Sequence, residues 1–283
     1  MSVRGTTVAR RQLGRWLRQL RTTVGKTEAD VEAANLASRV KLWRIETGKG
    51  EVKFADVRAL CWLYGADSLT TDALANLAQA TRGHGWWEDF RSTPPRYALR
   101  SGLEPIADSI DAYEPERVHP LLQTPDYMRA LYLVSRPEAD QMAVREYVHL
   151  ERERQRALLT RTPPPRLTVV LGEAALARSV GGADVMDEQI AHLQDLALEL
   201  PLVDIRILPL QAGAHPAIHG GAFGILGFPA AEDPAVVHIE AQTGARYLER
   251  LAEVTEYRRV FTHIYAQAVS INEFRGRHTD GPG

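Results

Sequence analysis

One segment, Thr27–Gly48, constrains the fold of this chain more than any other, because its pattern is that of two short helices joined by a tight turn. Thr27 has Asp30 three residues after it, which is a variant of the capping box that begins a helix. The helical pattern breaks at residues 35–37, and Ser38 supplies a cap for a second helix. Two short helices at this spacing are typical of a helix-turn-helix, whose second helix reads the major groove of DNA.

The second of these helices is predicted to have an inward and an outward face. Leu42 and Ile45 are three residues apart, so both point toward the core. Arg39, Val40 and Arg44 lie on a different face and point away from it. Outward basic side chains are what groove recognition requires. The alternative, an ordinary pair of helices in a bundle, is disfavoured because cap, spacing and charge placement agree.

The charge of the chain is divided unevenly. Residues 1–66 contain 13 Lys and Arg against 6 Asp and Glu, a balance of +7, whereas residues 67–283 contain 21 against 30, a balance of −9. A basic head on an acidic body is typical of a nucleic-acid reader attached to another module. Cys61 is the single cysteine, which excludes an intramolecular disulfide. With neither a signal-peptide pattern nor an apolar run of membrane-spanning length, we expect a soluble, cytoplasmic protein associated with the nucleoid.

Helical periodicity predicts five helices in residues 1–82, which we interpret as one DNA-binding domain. The predicted helices are residues 8–22, the two helices of the segment above, residues 54–64 and residues 71–81. Glycines and prolines mark residues 83–101 as a junction. Trp86 and Trp87 in this junction cannot share one helical face, so at least one is expected to pack against another domain or subunit.

Helices and strands are mixed after residue 102. Predicted helices cover residues 102–109, a segment capped by Thr124 and Pro125, the segment from Pro137 to Thr160, and residues 184–200 and 250–270. Predicted strands cover residues 167–171, 203–208, 222–228, 236–240 and 246–248. A β-α-β unit followed by a meander gives a mixed sheet. We therefore predict an α+β chain: an all-α five-helix domain, a mixed α/β domain over residues 102–271 with a sheet of about five strands, and a disordered tail over residues 272–283.

The end of the second helix resembles that of bacterial helix-turn-helix repressors of the phage-repressor (XRE) type, through the run Arg44-Ile45-Glu46-Thr47-Gly48. The resemblance implies that Arg39, Val40 and Arg44 face base edges and that Lys41 and Lys49 lie near phosphates. Thr27, which caps the first of the two helices, completes the predicted DNA-binding set. It also implies that Arg21 and Glu46 form a structural ion pair. There are two departures: Leu36-Ala37 replaces glycine and a branched apolar residue in the turn, and Glu28 replaces a neutral residue that contacts phosphate.

A second resemblance extends over residues 8–271. Its motifs in chain order are Gly85-Trp86-Trp87, Tyr113-Glu114-Pro115, Leu121-Leu122-Gln123-Thr124, Tyr127, Arg166-Leu167-Thr168-Val169-Val170-Leu171 and Gly213-Ala214-His215-Pro216. Through them the chain resembles the actinobacterial regulators called Scr1-type antitoxin-like transcriptional regulators. The resemblance implies that the chain is encoded beside a small protein that it binds or that antagonises it.

We therefore expect a repressor-type transcriptional regulator that binds double-stranded operator DNA as a homodimer on two half-sites and carries a partner-binding second domain. Glycines, prolines and aromatics beside Tyr113-Glu114-Pro115 and in the loop Gly213–Gly221 suit recognition loops on a rigid sheet. The partner-binding candidates are Tyr113, Glu114, Pro115, His215 and Pro216. Ordinary turns are an alternative interpretation of the same residues.

Catalytic, cofactor and metal chemistry is not predicted. His215 and His219 are four residues apart, but no cysteine or carboxylate stands at motif spacing to complete a metal site. The glycine-rich segment Gly213–Gly224 precedes a strand rather than a helix, which disfavours a phosphate cradle, and no nucleophile-elbow pattern occurs. Three alternatives stay open: a repressor that responds to a small molecule, an enzyme activity in the second domain, and an antitoxin that mainly sequesters its partner. A pocket with convergent titratable groups would favour an enzyme, and an apolar groove would favour a binding module.

Overall fold

The computed structural model describes residues 7–80, 103–229, 235–241 and 244–274. The fold class is α+β, as predicted: a helical region is followed by strands of mixed direction and further helices. The predicted junction, residues 83–101, lies outside the described residues together with Trp86 and Trp87. Residues 275–283 of the predicted tail lie outside them as well.

The chain divides into two compact units. The first lies within residues 1–107 and 228–250, and the second lies within residues 108–227 and 251–283. The α-helices of the described residues are α1 (Thr7–Thr23), α2 (Glu28–Ala33), α3 (Arg39–Glu46), α4 (Phe54–Leu63), α5 (Ser68–Ala80), α6 (Pro125–Ser135), α7 (Gln141–Leu159), α8 (Glu173–Ala177), α9 (Ala183–Glu199) and α10 (Leu251–Gln267). The strands are β1 (Ser109–Glu114), β2 (Arg166–Gly172), β3 (Val203–Leu208), β4 (Phe223–Gly227), β5 (Val236–Ala241), β6 (Gly244–Leu248) and β7 (Val269–Ser270).

Five helices, α1 to α5, form the helical part of the first unit, and each contributes to one core. The side chains that are 0% exposed come from all five: Leu17, Val31, Leu42, Val57, Cys61, Leu74, Ala75, Leu77 and Ala78. Burial raises the pKa of the Cys61 thiol to about 11, so the thiol stays protonated and serves as a packed core residue. The first unit also contains the antiparallel hairpin of β5 and β6, in which Val237 pairs with Leu248.

The sheet of the second unit has the strand order β4-β1-β2-β3-β7. Strands β1, β2 and β3 are parallel neighbours, and β4 and β7 pair antiparallel at the two sides. Four residues of β2 are 0% exposed, which is the continuous apolar run expected of a strand covered on both faces: Leu167, Val169, Val170 and Leu171. The parallel pair β2 and β3 is joined through α8 and α9, which confirms the predicted β-α-β unit.

Two strands of this sheet differ from the sequence prediction. The helical character predicted over residues 102–109 is confirmed in part: Leu103 is helical and Glu104–Ile106 form a 3-10 turn, but the helical structure ends before Ala107 and β1 begins at Ser109. β1 was not predicted as a strand, since two of its six residues are the carboxylates Asp111 and Glu114, and such residues are depleted in strands. The two-residue strand β7 is too short to give a pattern.

Helices α6 and α7 pack together in the second unit. α6 begins with the predicted cap, Thr124, and has Pro125 at its first position. Tyr132 of α6 stacks on Tyr147 of α7, with 4.4 Å between the ring centroids. This stacking fixes the two helices side by side and leaves a groove between their solvent-facing sides.

Candidate nucleic-acid interface

The helix α2 begins with a reciprocal cap. The Thr27 hydroxyl oxygen accepts a hydrogen bond from the backbone N–H of Asp30 at 3.2 Å, and the Asp30 carboxylate accepts one from the backbone N–H of Thr27 at 2.7 Å. These bonds satisfy two N–H groups that a helix start leaves without partners. They also hold the pKa of the Asp30 carboxyl below its usual range. Thr27 is exposed, and its hydroxyl is engaged in this cap.

The turn between α2 and α3 is made by Asn35. Its φ is 57°, in the left-handed region that asparagine tolerates better than most residues other than glycine. Leu36 and Ala37 follow, and Ala37 is 7% exposed and packs into the core. The departure noted at Leu36-Ala37 is therefore explained, because the residue before it supplies the conformation for which a glycine is usual.

The helix α3 has an inward and an outward face, as its sequence predicts. Ser38 caps it by accepting a hydrogen bond from the backbone N–H of Lys41 at 3.3 Å. Leu42 and Ile45 are 0% and 2% exposed, whereas Val40 is 70% exposed. The outward face consists of Arg39, Val40, Lys41, Trp43 and Arg44, all of them exposed. It therefore presents three cations, one aliphatic side chain and one indole to solvent.

Gly48 ends α3, as predicted. Its φ is 69°, and the N–H groups of Lys49 and Gly50 both donate to the Arg44 carbonyl oxygen at 2.8 Å. A Cβ at Gly48 would lie 2.9 Å from the Cα of Arg11. Backbone conformation and packing against α1 therefore both require glycine here.

Gly14 lets α1 approach the end of α3. A Cβ at Gly14 would lie 2.3 Å from the carbonyl oxygen of Ile45 and 2.8 Å from the carbonyl carbon of Glu46. Sequence patterns gave Gly14 no role, because a glycine inside a helical pattern does not reveal which backbone it faces. The contact fixes the distance between α1 and the C-terminal end of α3.

Arg21 of α1 and Glu46 of α3 form a bidentate ion pair. Arg21 Nε and Nη2 donate to the two carboxylate oxygens of Glu46 at 2.7 and 2.8 Å, and Nη1 donates to the carbonyl oxygen of Lys26 at 3.0 Å. The two side chains are only 9% and 5% exposed. The hydrogen bonds to Glu46 raise the pKa of Arg21. The pair therefore joins α1 both to the end of α3 and to the loop that precedes α2.

Two cations of the outward face are paired with carboxylates on the same surface. Arg39 Nε lies 3.1 Å from a carboxylate oxygen of Glu32, and Lys41 Nζ lies 2.9 Å from one of Asp56. Exposed ion pairs of this kind contribute only about 0–1 kcal/mol. Both cations are therefore available to an incoming anion at little cost.

The third cation of the outward face, Arg44, lies in the last turn of α3, and a further cation, Lys49, follows the helix. Lys49 Nζ lies 4.8 Å from the ring centroid of Trp43, a cation–π contact. Arg44 forms no ion pair or side-chain hydrogen bond with any residue that the structure describes. Trp43, which is 49% exposed, was not among the predicted DNA-binding residues. The sequence position of Trp43, next to the outward-facing Arg44, could have indicated that its side chain lies at the edge of the outward face.

In the second unit the structure brings two of the partner-binding candidates together. The Tyr113 hydroxyl lies 3.4 Å from His215 Nε2, and the two rings meet edge to face with 5.7 Å between their centroids. Burial, and to a lesser extent His263, lower the pKa of His215. A neutral His215 ring is therefore favoured beside Tyr113.

The partner-binding candidates Tyr113 and Glu114 do not lie in a loop. Both residues belong to β1 and are 4% and 7% exposed, because β1 is an interior strand of the sheet. Pro115 and Pro216 are half-buried, and Pro216 opens a 3-10 turn, Pro216–His219. The partner-binding candidates in the loop around Pro216 are therefore more accessible than Tyr113 and Glu114.

The outward face of α3 offers hydrogen-bond donors and positive charge, which are what phosphates and base edges accept. Within the described residues, no group of three or more His, Cys, Asp or Glu side chains could hold a metal ion. No helix in the part of the chain that the structure describes is long and apolar enough to cross a membrane.

Two family models match the chain. A helix-turn-helix domain matches residues 12–77, and a domain of unknown function (DUF5753) matches residues 98–277. No curated protein and no solved structure matches it. The first unit therefore contains a helix-turn-helix domain like that of DNA-binding regulators, and the chain belongs to the DUF5753 family.

Proposed function

We propose that this member of the DUF5753 family is a transcriptional repressor that binds a specific operator sequence through its helix-turn-helix domain. The observation that carries the proposal is the exposed basic face of α3, with Val40 70% and Trp43 49% exposed beside three cations. The buried Arg21–Glu46 pair orients that face rigidly. A rigid helix with outward cations is what major-groove readout needs.

Arg44 and Arg39 are the proposed base readers. Arg44 has no protein partner among the described residues, so its guanidinium can donate two parallel hydrogen bonds to a guanine without first breaking an ion pair. Arg39 must leave Glu32, which costs about 0–1 kcal/mol, whereas a bidentate base contact is worth about 1–3 kcal/mol. The exchange therefore favours DNA. Val40 supplies apolar contact to a thymine methyl group.

Lys41, Lys49 and the capped start of α2 at Thr27 are the proposed phosphate contacts. The two lysines stand at opposite ends of α3, so they can contact the backbone on both sides of the groove. The N-terminal end of α2 carries a partial positive charge, which favours a phosphate near Thr27. We further propose a homodimer, since two copies on two half-sites double these contacts and give a repressor its specificity.

We propose that the second unit binds a small protein encoded nearby and thereby modulates DNA binding. The loop that contains His215 and Pro216 supports this role. Ile218 in this loop is 59% exposed, and Leu210 in the 3-10 turn just before it is 68% exposed. Apolar side chains held outward in this way suit a protein contact. Tyr113 and Glu114 would act from beneath this loop, through the contact of Tyr113 with His215.

We propose further that the second unit binds rather than catalyses. The exposed apolar side chains of the loop that contains His215 and Pro216 support a binding role. Binding a protein through such side chains needs neither a nucleophile nor a cofactor. A response to a small molecule is the second candidate for the effector, and the basic groove described below favours it.

A titration tests the partner proposal. Purified full-length protein on its selected operator would be titrated with the small protein from the neighbouring gene, and DNA binding followed by fluorescence anisotropy. Because coupling between two binding sites is reciprocal, a partner that lowers operator affinity must itself bind more weakly to the DNA-bound protein, by the same factor. We expect the partner to lower operator affinity by the same factor as the operator lowers partner affinity. We expect this factor to be smaller in the variant Ile218→Ser.

The matched control is Leu198→Ser, because Leu198 is 73% exposed on α9, away from the loop sequence. Operator release by the small protein that Ile218→Ser weakens and Leu198→Ser leaves unchanged supports the proposal. Release by metabolite extract alone would replace the protein partner with a small molecule. No effect of either would remove the sensing role from the second unit.

A further inference from the structure

A groove lined by arginines lies between α6 and α7 of the second unit. Its volume is about 320 Å³. Its lining residues are Arg129, Arg145, Val148, His149, Arg152, Glu153 and Arg156. Four arginines therefore face one glutamate within a single concavity, in a part of the chain whose overall balance is acidic, −9 over residues 67–283.

Three arginines and a histidine of α7 lie on one stripe. Arg145, His149, Arg152 and Arg156 are spaced four, three and four residues apart, which places them on the same face of the helix. At 1.5 Å per residue the stripe is about 16 Å long. All four residues are exposed. Arg129 of α6 faces the stripe from the other wall of the groove.

Two of these arginines lack a counter-charge of their own in the described part of the chain. Arg152 and Arg156 form no ion pair or side-chain hydrogen bond with any residue in the described ranges. Arg129 is paired with Asp126, and Arg145 donates to the amide oxygen of Gln141 at 3.0 Å. Like charges held together in a concave site repel one another, and the repulsion is relieved when an anion enters.

We propose that this groove is a binding site for a small polyanion, a molecule with at least two phosphate or carboxylate groups. Guanidinium groups bind both kinds of group through paired hydrogen bonds, and Arg152 and Arg156 are the primary ligands. His149 contributes a ring N–H, and Arg129 closes the site from α6. The site does not depend on DNA binding by the first unit.

The groove favours a small ligand over a nucleic acid for two reasons. Its volume falls at the lower end of the range of small-molecule sites, about 300–1,000 Å³. Residues 67–283 carry a balance of −9, so a long polyanion that extended over the rest of this part of the chain would be repelled, whereas a ligand confined to the groove meets mainly arginine.

The test uses the full-length protein without DNA and two probes, inorganic pyrophosphate and citrate, in isothermal titration calorimetry at low salt. We expect one of them to bind, with an affinity that falls at about 0.5 M salt because the contacts are ionic. The double variant Arg152→Gln/Arg156→Gln should bind at least about tenfold more weakly, since it loses two charge-assisted contacts. The control Arg259→Gln removes one exposed arginine of α10 outside the groove and should bind like wild type.

The relative affinity of the two probes distinguishes phosphate from carboxylate ligands. Circular dichroism must show that the double variant folds, which its exposed positions favour. The proposal is overturned if neither probe binds to the wild type, if the double variant binds as the wild type does, or if Arg259→Gln is equally impaired. It is also overturned if the double variant binds random duplex DNA more weakly than the wild type does but binds both probes equally well. The stripe would then be a nucleic-acid contact.

Discussion

The guanidinium of Arg21 and the carboxylate of Glu46 are buried together, and each depends on the other for its charge to be tolerated. Replacing Glu46 with alanine leaves a buried guanidinium without its counter-charge, which costs roughly 3–5 kcal/mol. We therefore expect Glu46→Ala to lower the midpoint of the first thermal unfolding transition of the full chain, as measured by differential scanning calorimetry.

Arg58→Ala is the matched control, because Arg58 forms an exposed ion pair with Asp72. Losing such a pair should change the midpoint little, since exposed pairs are worth about 0–1 kcal/mol. A Glu46→Ala protein that unfolds with the wild-type midpoint would show that the buried pair does not stabilise the first unit.

Asp111 in β1 predicts a pH dependence of stability. Burial raises the pKa of its carboxyl above the ordinary value of 3.8, even though Arg166 Nη1 lies 3.3 Å away. A raised pKa in the folded state means that the protonated carboxyl favours folding; this contribution is complete below the unfolded pKa and is lost as pH rises through the folded pKa. Asp111→Asn should therefore be more stable than wild type at neutral pH, and the difference should shrink as pH approaches 3.8.

Urea denaturation of both proteins across this pH range measures the effect. Asp187→Asn, which removes an exposed carboxylate of α9, is the control for the loss of one negative charge. An Asp111→Asn protein that is less stable than wild type at neutral pH would mean that the ion pair with Arg166 outweighs the cost of burial.

The approach of α1 to α3 depends on Gly14. Helix propensity alone predicts that alanine at this position stabilises α1 by roughly 0.5–1 kcal/mol. The 2.3 Å distance from a Cβ to the Ile45 carbonyl oxygen predicts the reverse, because forcing the helices apart costs about 1–3 kcal/mol. We expect Gly14→Ala to destabilise the first unit and to weaken DNA binding by displacing the end of α3.

Chemical denaturation and operator affinity are the two measurements for Gly14→Ala. Gly220→Ala is the control, because the nearest atom to a Cβ there is 4.0 Å away. If Gly14→Ala is more stable than wild type, helix propensity outweighs the contact and the two helices can separate without loss.

Helices of the first unit were predictable because their signals are local. The capping pair Thr27 and Asp30, the cap Ser38 and the terminating Gly48 all act within a few residues of the backbone they satisfy. The apolar spacing of Leu42 and Ile45 likewise gave the buried face of α3. The sequence also placed β2 and β3 correctly, since a buried parallel strand is a run of apolar residues.

What could not be predicted depends on contacts distant in sequence. β1 contains Asp111, whose charge is partly offset by Arg166 of the neighbouring strand β2. The role of Gly14 depends on the carbonyl groups of α3, and the arginine groove requires α6 beside α7. None of these juxtapositions leaves a periodic or local signal in the sequence.

The uneven distribution of charge along the chain matches the different roles proposed for its two units. The helix-turn-helix domain carries the cations that DNA binding needs, and the acidic balance of residues 67–283 disfavours nonspecific contact of the second unit with phosphates. In the proposed function the first unit supplies DNA affinity and specificity, and the second supplies regulation. The basic groove between α6 and α7 is the exception within the acidic part, which is why a small anion suits it.

Selection of bound duplexes from a random library, with the full-length protein, tests whether the outward face of α3 reads sequence. We expect one preferred operator with two related half-sites for the wild type. Arg44→Ala and Arg39→Ala should each lose roughly 1–3 kcal/mol of specific binding and lose preference at particular base pairs. Lys41→Ala and Lys49→Ala should keep the same preferred sequence, weaken binding to all sequences alike and reduce its salt dependence. An unselective wild type, or a changed preference in the lysine variants with none in the arginine variants, would contradict DNA readout by this face.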